Sequence, residues 1–165
     1  MVTPSVPAVK TIVGFLSYAD ADRSVAEELW DRLRGALKVS GEYRWELWAF
    51  TDQLIAGDDF DADIKAALAK ADLGIFALSN AFLASEYIRT VELPPFLAPG
   101  SAKRVVPIAL KRLARDADLR GLQARQIFNY RDPYYSGRAP HARDAWANAL
   151  ADELHRVARR YGLGR

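Results

Sequence analysis

Apolar residues along the chain follow two rhythms. Short unbroken runs alternate with longer stretches in which apolar positions recur every three or four residues. The runs "TIVGFLSY" (11–18), "WELWAFTD" (45–52), "LGIFALSN" (73–80), "RVVPIAL" (104–110) and "QIFNY" (126–130) predict five strands. Pro107 inside the fourth run points to an edge strand or a bulge. The stretches between predict helices. In "ADADRSVAEELWDRLRGALK", Val25, Leu29, Leu33 and Leu37 make one stripe, and Asp20 or Asp22 can cap it. In "FDADIKAALAKA", Phe60, Ile64, Leu68 and Ala71 point inward. Across "SNAFLASEYIRTVELPPFL" (79–97), Leu83, Ala84, Tyr87, Ile88 and Val91 share a helical face. Glu92 comes one turn after Ile88, at the polar edge of that stripe, and Pro94-Pro95 ends or kinks the helix. "AWANALADELHRVARRYG" is a last helix stopped by Gly162, with Trp146, Leu150, Leu154, Val157 and Tyr161 aligned.

Strands that alternate with helices and are apolar throughout predict an α/β domain whose parallel sheet is covered on both faces. Five strands in this layout predict a flavodoxin-like three-layer sandwich, a five-stranded parallel sheet with helices on both faces. Ligands of such sheets bind beyond the carboxyl ends of the strands. Here those ends are Ser17-Tyr18, Thr51-Asp52, Ser79-Asn80 and the segment after Leu110. Three of the four are small and polar, although strand ends and helix caps favour Ser, Asn and Asp in any case.

Composition narrows the chemistry. A chain of 165 residues fits one domain, taken as 10–165 behind a short Pro-containing tail, 1–9. It has no cysteine, which removes thiolate nucleophiles and Cys-based zinc sites and suits a cytoplasmic setting. No apolar run is long enough to span a bilayer, and the first residues lack a signal-peptide pattern, so no membrane partner is expected. The net charge of +2 conceals a split: residues 1–102 carry 9 Lys/Arg against 15 Asp/Glu, and residues 103–165 carry 14 against 6. Two faces of opposite sign could attract another copy of the chain. The arginines are scattered and match no nucleic-acid motif, so nucleic acid is not expected as a partner.

Several mechanisms lack their residues. There is no G-x-G-x-x-G after the first strand and no G-x-x-x-x-G-K-[ST] loop. His141 and His155 stand apart without metal-ligand spacing, so no metal is expected. A hydrolase triad lacks its nucleophile elbow. A phosphorelay receiver would need an Asp where the third strand ends and paired acids after the first; those places hold Ser79 and Tyr18.

"FLSYADAD", "FTDQLIAGDDFDADIKAALAKADLGIFALSNAFLASEYIRTVEL" and "RVVPIAL" together resemble the three conserved boxes of Toll/interleukin-1 receptor (TIR) domains, most of all the bacterial kind. The likeness covers residues 10–160. TIR domains are flavodoxin-like, in agreement with the pattern above. Many bacterial and plant members cleave the nicotinamide–ribose bond of NAD+ with a glutamate on the helix after the third strand. By position that is Glu92. The resemblance therefore implies an NAD+ nucleosidase with Glu92 as catalytic residue, NAD+ as substrate and no separate cofactor, in bacterial anti-phage defence or signalling. It also implies a ligand border of Ser17, Tyr18 and Ala19 after the first strand, Asp52, Ile55 and Gly57 in the loop after the second, then Phe60, Ser79 and Tyr87. Relatives often carry an aromatic residue four positions before the glutamate; here that position is Ile88, and Tyr87 is five before.

The chemistry suits one carboxylate. Loss of nicotinamide leaves a ribosyl cation that a nearby anion stabilises, and the neutral leaving group needs no obligatory acid. The plain alternative for Glu92 is an exposed helix-end residue paired with Arg89. For the whole chain the alternatives are a silent TIR scaffold that binds other TIR domains, or a flavodoxin-like cofactor carrier. The charge split further suggests head-to-tail assembly, with Asp58, Asp59, Asp61 and Asp63 of one copy facing Lys111, Arg112, Arg115 and Arg120 of the next.

Overall fold

The computed structural model describes residues 8–49, 59–131 and 134–165, with the Phe60 side chain also outside that set. Residues 1–7 of the expected tail lie outside it too. The elements run β1 (Lys10–Ser17), α1 (Arg23–Lys38), β2 (Tyr43–Ala49), α2 (Phe60–Lys70), β3 (Leu73–Leu78), α3 (Asn80–Ala84), a π turn (Ile88–Glu92), α4 (Pro94–Leu97), β4 (Arg104–Ala109) and α5 (Pro140–Tyr161). The strands form one parallel sheet in the order β2-β1-β3-β4. All six residues of β3 are buried, because both faces of the sheet are covered.

Side-chain alternation along the strands sorts the core into two halves. Ile12, Leu16, Ile75 and Ala77 pack with Leu29, Leu33, Trp146 and Leu150 of α1 and α5. Phe15, Phe76 and Leu78 pack with Ile64, Phe82, Ile88, Leu93 and Phe96 from α2 to α4. The helix ends are set by local sequence. Asp59 accepts from Ala62 N–H at 3.2 Å and opens α2. Gly162, at φ +60°, closes α5 in the left-handed conformation that glycine adopts without strain. Beyond it the chain returns to β1, where Thr11 and Arg165 exchange backbone hydrogen bonds of 2.9 and 3.1 Å.

Among the described residues the sheet has four strands, not the five expected. "QIFNY" makes a single bridge, between Phe128 and Ile108. Phe128 N–H donates to Pro107 C=O and Ala109 N–H donates to Phe128 C=O, at 2.8 and 2.9 Å. The next rung downward would pair Gln126 C=O with an N–H at position 107, which proline lacks. The next rung upward would use Lys111 N–H, but that group donates to Leu78 C=O at 3.1 Å, and Tyr130 C=O takes the Arg138 guanidinium instead. Pro107 therefore sits in an edge strand, as its presence suggested, and also stops the chain from adding the fifth.

The expected continuous helix after β3 is broken as well. Ser85 leaves helical geometry at ψ 117°, and its Oγ accepts from Ile88 N–H at 3.3 Å, capping a second start. Leu93 N–H then reaches Ile88 C=O, five residues back, at 2.9 Å, which closes a π turn. The apolar stripe drawn on one α-helix holds only in part: Leu83 and Ile88 are buried and Tyr87 and Val91 half-buried, but Ala84 is exposed, and Phe82, Leu93 and Phe96, off that stripe, are buried as well.

Candidate functional site

Two buried carboxylates lie at the carboxyl edge of the sheet, one on each face. Glu92 is 2% exposed, on the α2–α4 side. The π turn puts it there: the wider turn rotates the side chain inward from the helix edge, beside Ile88 and Leu93. Ser17, the last residue of β1, shares the Phe15 face of the strand and donates its Oγ–H to Glu92 Oε2. Burial pushes the Glu92 carboxyl up to about 7, against the opposing effect of the Ser17 bond. The exposed helix-end reading of Glu92 does not hold, since Arg89 pairs with Glu86, at 3.8 Å.

Tyr87 precedes Glu92 by five residues and stands directly before the π turn. The charge of Glu92 is one of the influences that raise the Tyr87 phenol to about 12, after burial and the Asp61 hydrogen bond. Its hydroxyl donates to Asp61 Oδ1 at 3.1 Å, which ties the π turn to the first turn of α2.

The second carboxylate, Asp22, is 3% exposed, on the α1–α5 side. It occupies the position before α1 but makes no cap. Instead it accepts from Ser79 Oγ and pairs with Lys111 Nζ at 2.7 Å. Ser79 Oγ in turn accepts from Phe82 N–H at 2.9 Å and caps α3. The ends of β3 and β4 and the loop after β1 are thereby fastened together.

The residues singled out in the sequence separate accordingly. Ser17 and Tyr87 join Glu92. Ala19 is buried in the same half of the core. Tyr18 is buried in the other half, and Ser79 belongs to the Asp22 cluster. Asp52, Ile55 and Gly57 lie outside the described residues, as does the Phe60 side chain at the start of α2. Periodicity gave no warning of the Asp22–Lys111 pair; a single acid among four in "ADADRSVAEE" carries no sign that it will turn inward.

A family model for the TIR domain matches residues 15–142. The chain belongs to the TIR-domain family. The matched span holds Ser17, Asp22, Ser79, Glu92 and Lys111, and so both carboxylate clusters. The same sequence finds no significant match among curated proteins. TIR domains commonly self-associate, and the family includes both NAD-cleaving and scaffold members. No helix among the described residues of this TIR domain is long and apolar enough to cross a membrane. Of its basic residues expected at an assembly surface, Lys111 is engaged by Asp22 and Arg120 by Asp118 at 3.1 Å, while Arg112 and Arg115 are exposed.

Proposed function

We propose that this TIR domain is an NAD+ nucleosidase that cleaves the nicotinamide–ribose bond, with Glu92 as the catalytic residue. The observation that carries the reading is a buried carboxylate with no cation beside it among the described residues, held by Ser17 at the ligand-binding edge of the sheet. A carboxylate kept free of a protein cation is available to a cation that forms in the substrate. As the C1′–N bond of the ribose breaks, its electron pair leaves with nicotinamide. Ionised Glu92 stabilises the ribosyl oxocarbenium ion that remains. Water then adds at C1′ and loses a proton, giving ADP-ribose; attack by a group of the same nucleotide would give a cyclic isomer. Tyr87, half-buried with its hydroxyl tied to Asp61, offers part of its ring to the nicotinamide or adenine.

Glu92 is covered in the single chain, so the substrate must gain access to it. Head-to-tail self-association, driven by the opposite charges of the two parts of the sequence, is the proposed activating step, in keeping with a role in bacterial anti-phage signalling. Specific activity is then expected to rise with protein concentration and fall with added salt, which screens exposed charges over about 8–10 Å. The deciding experiment is nicotinamide release from NAD+ by concentrated protein. Glu92→Gln is expected to lower it by at least about a hundredfold, in line with the loss of one electrostatic contact to a transition state. Equal release by the variant would overturn the assignment, and no release by either protein would favour the scaffold.

A further inference from the structure

The failure of the fifth strand leaves a cleft of about 570 Å³ beside the lower half of β4, between residues 124–131 and the end of α5. This is the amino end of the sheet, away from Glu92. Of its cations, Arg104, Arg125 and Arg131 pair with no carboxylate among the described residues, and neither does Lys103, whose Nζ donates instead to the C=O groups of Ala69 and Ala71 at 3.0 and 2.6 Å. The Arg104 Nε atom is buried and has no acceptor among those residues, while its guanidinium lies 3.8 Å from the centre of the Tyr161 ring. Arg156, by contrast, is neutralised by Glu153 at 2.9 Å. Arg32, Arg138 and Arg143 also leave a buried Nε without an acceptor among the described residues, so the Arg104 atom counts only together with the unneutralised guanidiniums that line the same cleft.

We propose that this cleft binds a compact phosphate-bearing anion of nucleotide size, carrying two or more phosphates. Its volume falls in the range of small-molecule sites. Three guanidiniums present planar pairs of donors suited to phosphate oxygens. The floor contributes one more donor, because odd-numbered residues of β4 direct their backbone away from β3, and Val105 N–H has no described strand beside it. An acidic peptide adding as a strand fits less well. The proline that stops the chain's own fifth strand would stop a guest strand at the same rung. This site is independent of the reaction assigned to Glu92.

The test is calorimetric titration of the full chain at low salt with inorganic pyrophosphate, ATP and adenosine. Pyrophosphate and ATP are expected to bind one per chain, and adenosine not at all. Arg125→Gln with Arg131→Gln, both exposed side chains whose loss spares the core, is expected to weaken binding by about a hundredfold, tenfold for each charge-assisted contact. Arg104→Gln is expected to weaken it by about tenfold or more, and Glu92→Gln to leave it unchanged. Binding that survives the double variant would overturn the proposal. So would a failure of pyrophosphate and ATP to bind, whether or not short duplex DNA binds with an affinity that grows with its length.

Discussion

The two faces of the sheet solve one problem differently. Each buries a carboxylate at the carboxyl edge, and each holds it with a serine hydroxyl from a strand end: Ser17 for Glu92, Ser79 for Asp22. On the Asp22 side the charge is answered by Lys111, at 2.7 Å, and the Ser79 hydroxyl also caps a helix. That cluster joins three segments and is complete as it stands. On the Glu92 side no cation among the described residues answers the charge. Burial without a counter-ion is unfavourable for a charged group, and the cost appears as a carboxyl raised to about 7. A cluster built only for stability would resemble the Asp22 arrangement. The contrast marks Asp22 as a clamp, and it supports the proposal that Glu92 meets a positive charge formed in a substrate.

The comparison can be broken most sharply through the pH dependence of stability. A carboxyl raised from the ordinary 4.5 to about 7 holds its proton more tightly in the folded protein than in the unfolded chain. Its contribution is complete below about 4.5 and is lost as pH rises through 7. Wild type is therefore expected to lose roughly 3 kcal/mol from this residue between pH 4 and 8.5. Glu92→Gln stays neutral throughout and escapes that loss, so it should be the more stable protein at pH 8.5. Denaturant unfolding at several pH values measures this; parallel profiles for the two proteins would show that Glu92 is not a strained buried acid. NAD+ cleavage by wild type should rise over the same window, since the ionised form is the one that stabilises the cation.

A smaller effect of opposite meaning is expected at the other face. Lys111→Met removes the cation from a buried carboxylate, and should destabilise the domain by about 2 kcal/mol, less than a fully buried pair because Lys111 is 41% exposed. Melting temperature reports it, and no change would mean that Asp22 is not held by charge. The smallest effect is expected from Ser17→Ala. Loss of its hydrogen bond should cost about 1 kcal/mol at high pH, where Glu92 is charged, and shift the midpoint of the activity profile to higher pH. A shift to lower pH would place the proton elsewhere than on Glu92.

Much of this contrast was open to the sequence, but not all. The strands were legible as compact apolar runs, and the first three stop at small polar residues, among them Ser17 and Ser79. Glu92 was singled out by position, yet its burial was not, because an α-helical template puts it at the edge of the stripe. Ser85, a cap in the middle of "LASEYI", was the available sign that the helix restarts. The missing fifth strand had a sign too, in Pro107, but what a proline withholds from its neighbour depends on register, which periodicity does not supply. The Asp22–Lys111 pair joins positions 89 residues apart and left no local trace.

The π turn makes the position of Glu92 a matter of phase rather than of identity. Loss of one codon between Arg89 and Val91 would remove no residue of the Ser17–Glu92–Tyr87 group. It would let the wide turn relax into an ordinary helix and swing the downstream residues by roughly 100° about the axis. The glutamate would still be encoded, but it would return to the solvent edge where a plain helical period puts it, and Ser17 would lose its partner. A slip of one residue in one helix is thus enough to turn a poised buried acid into a surface charge.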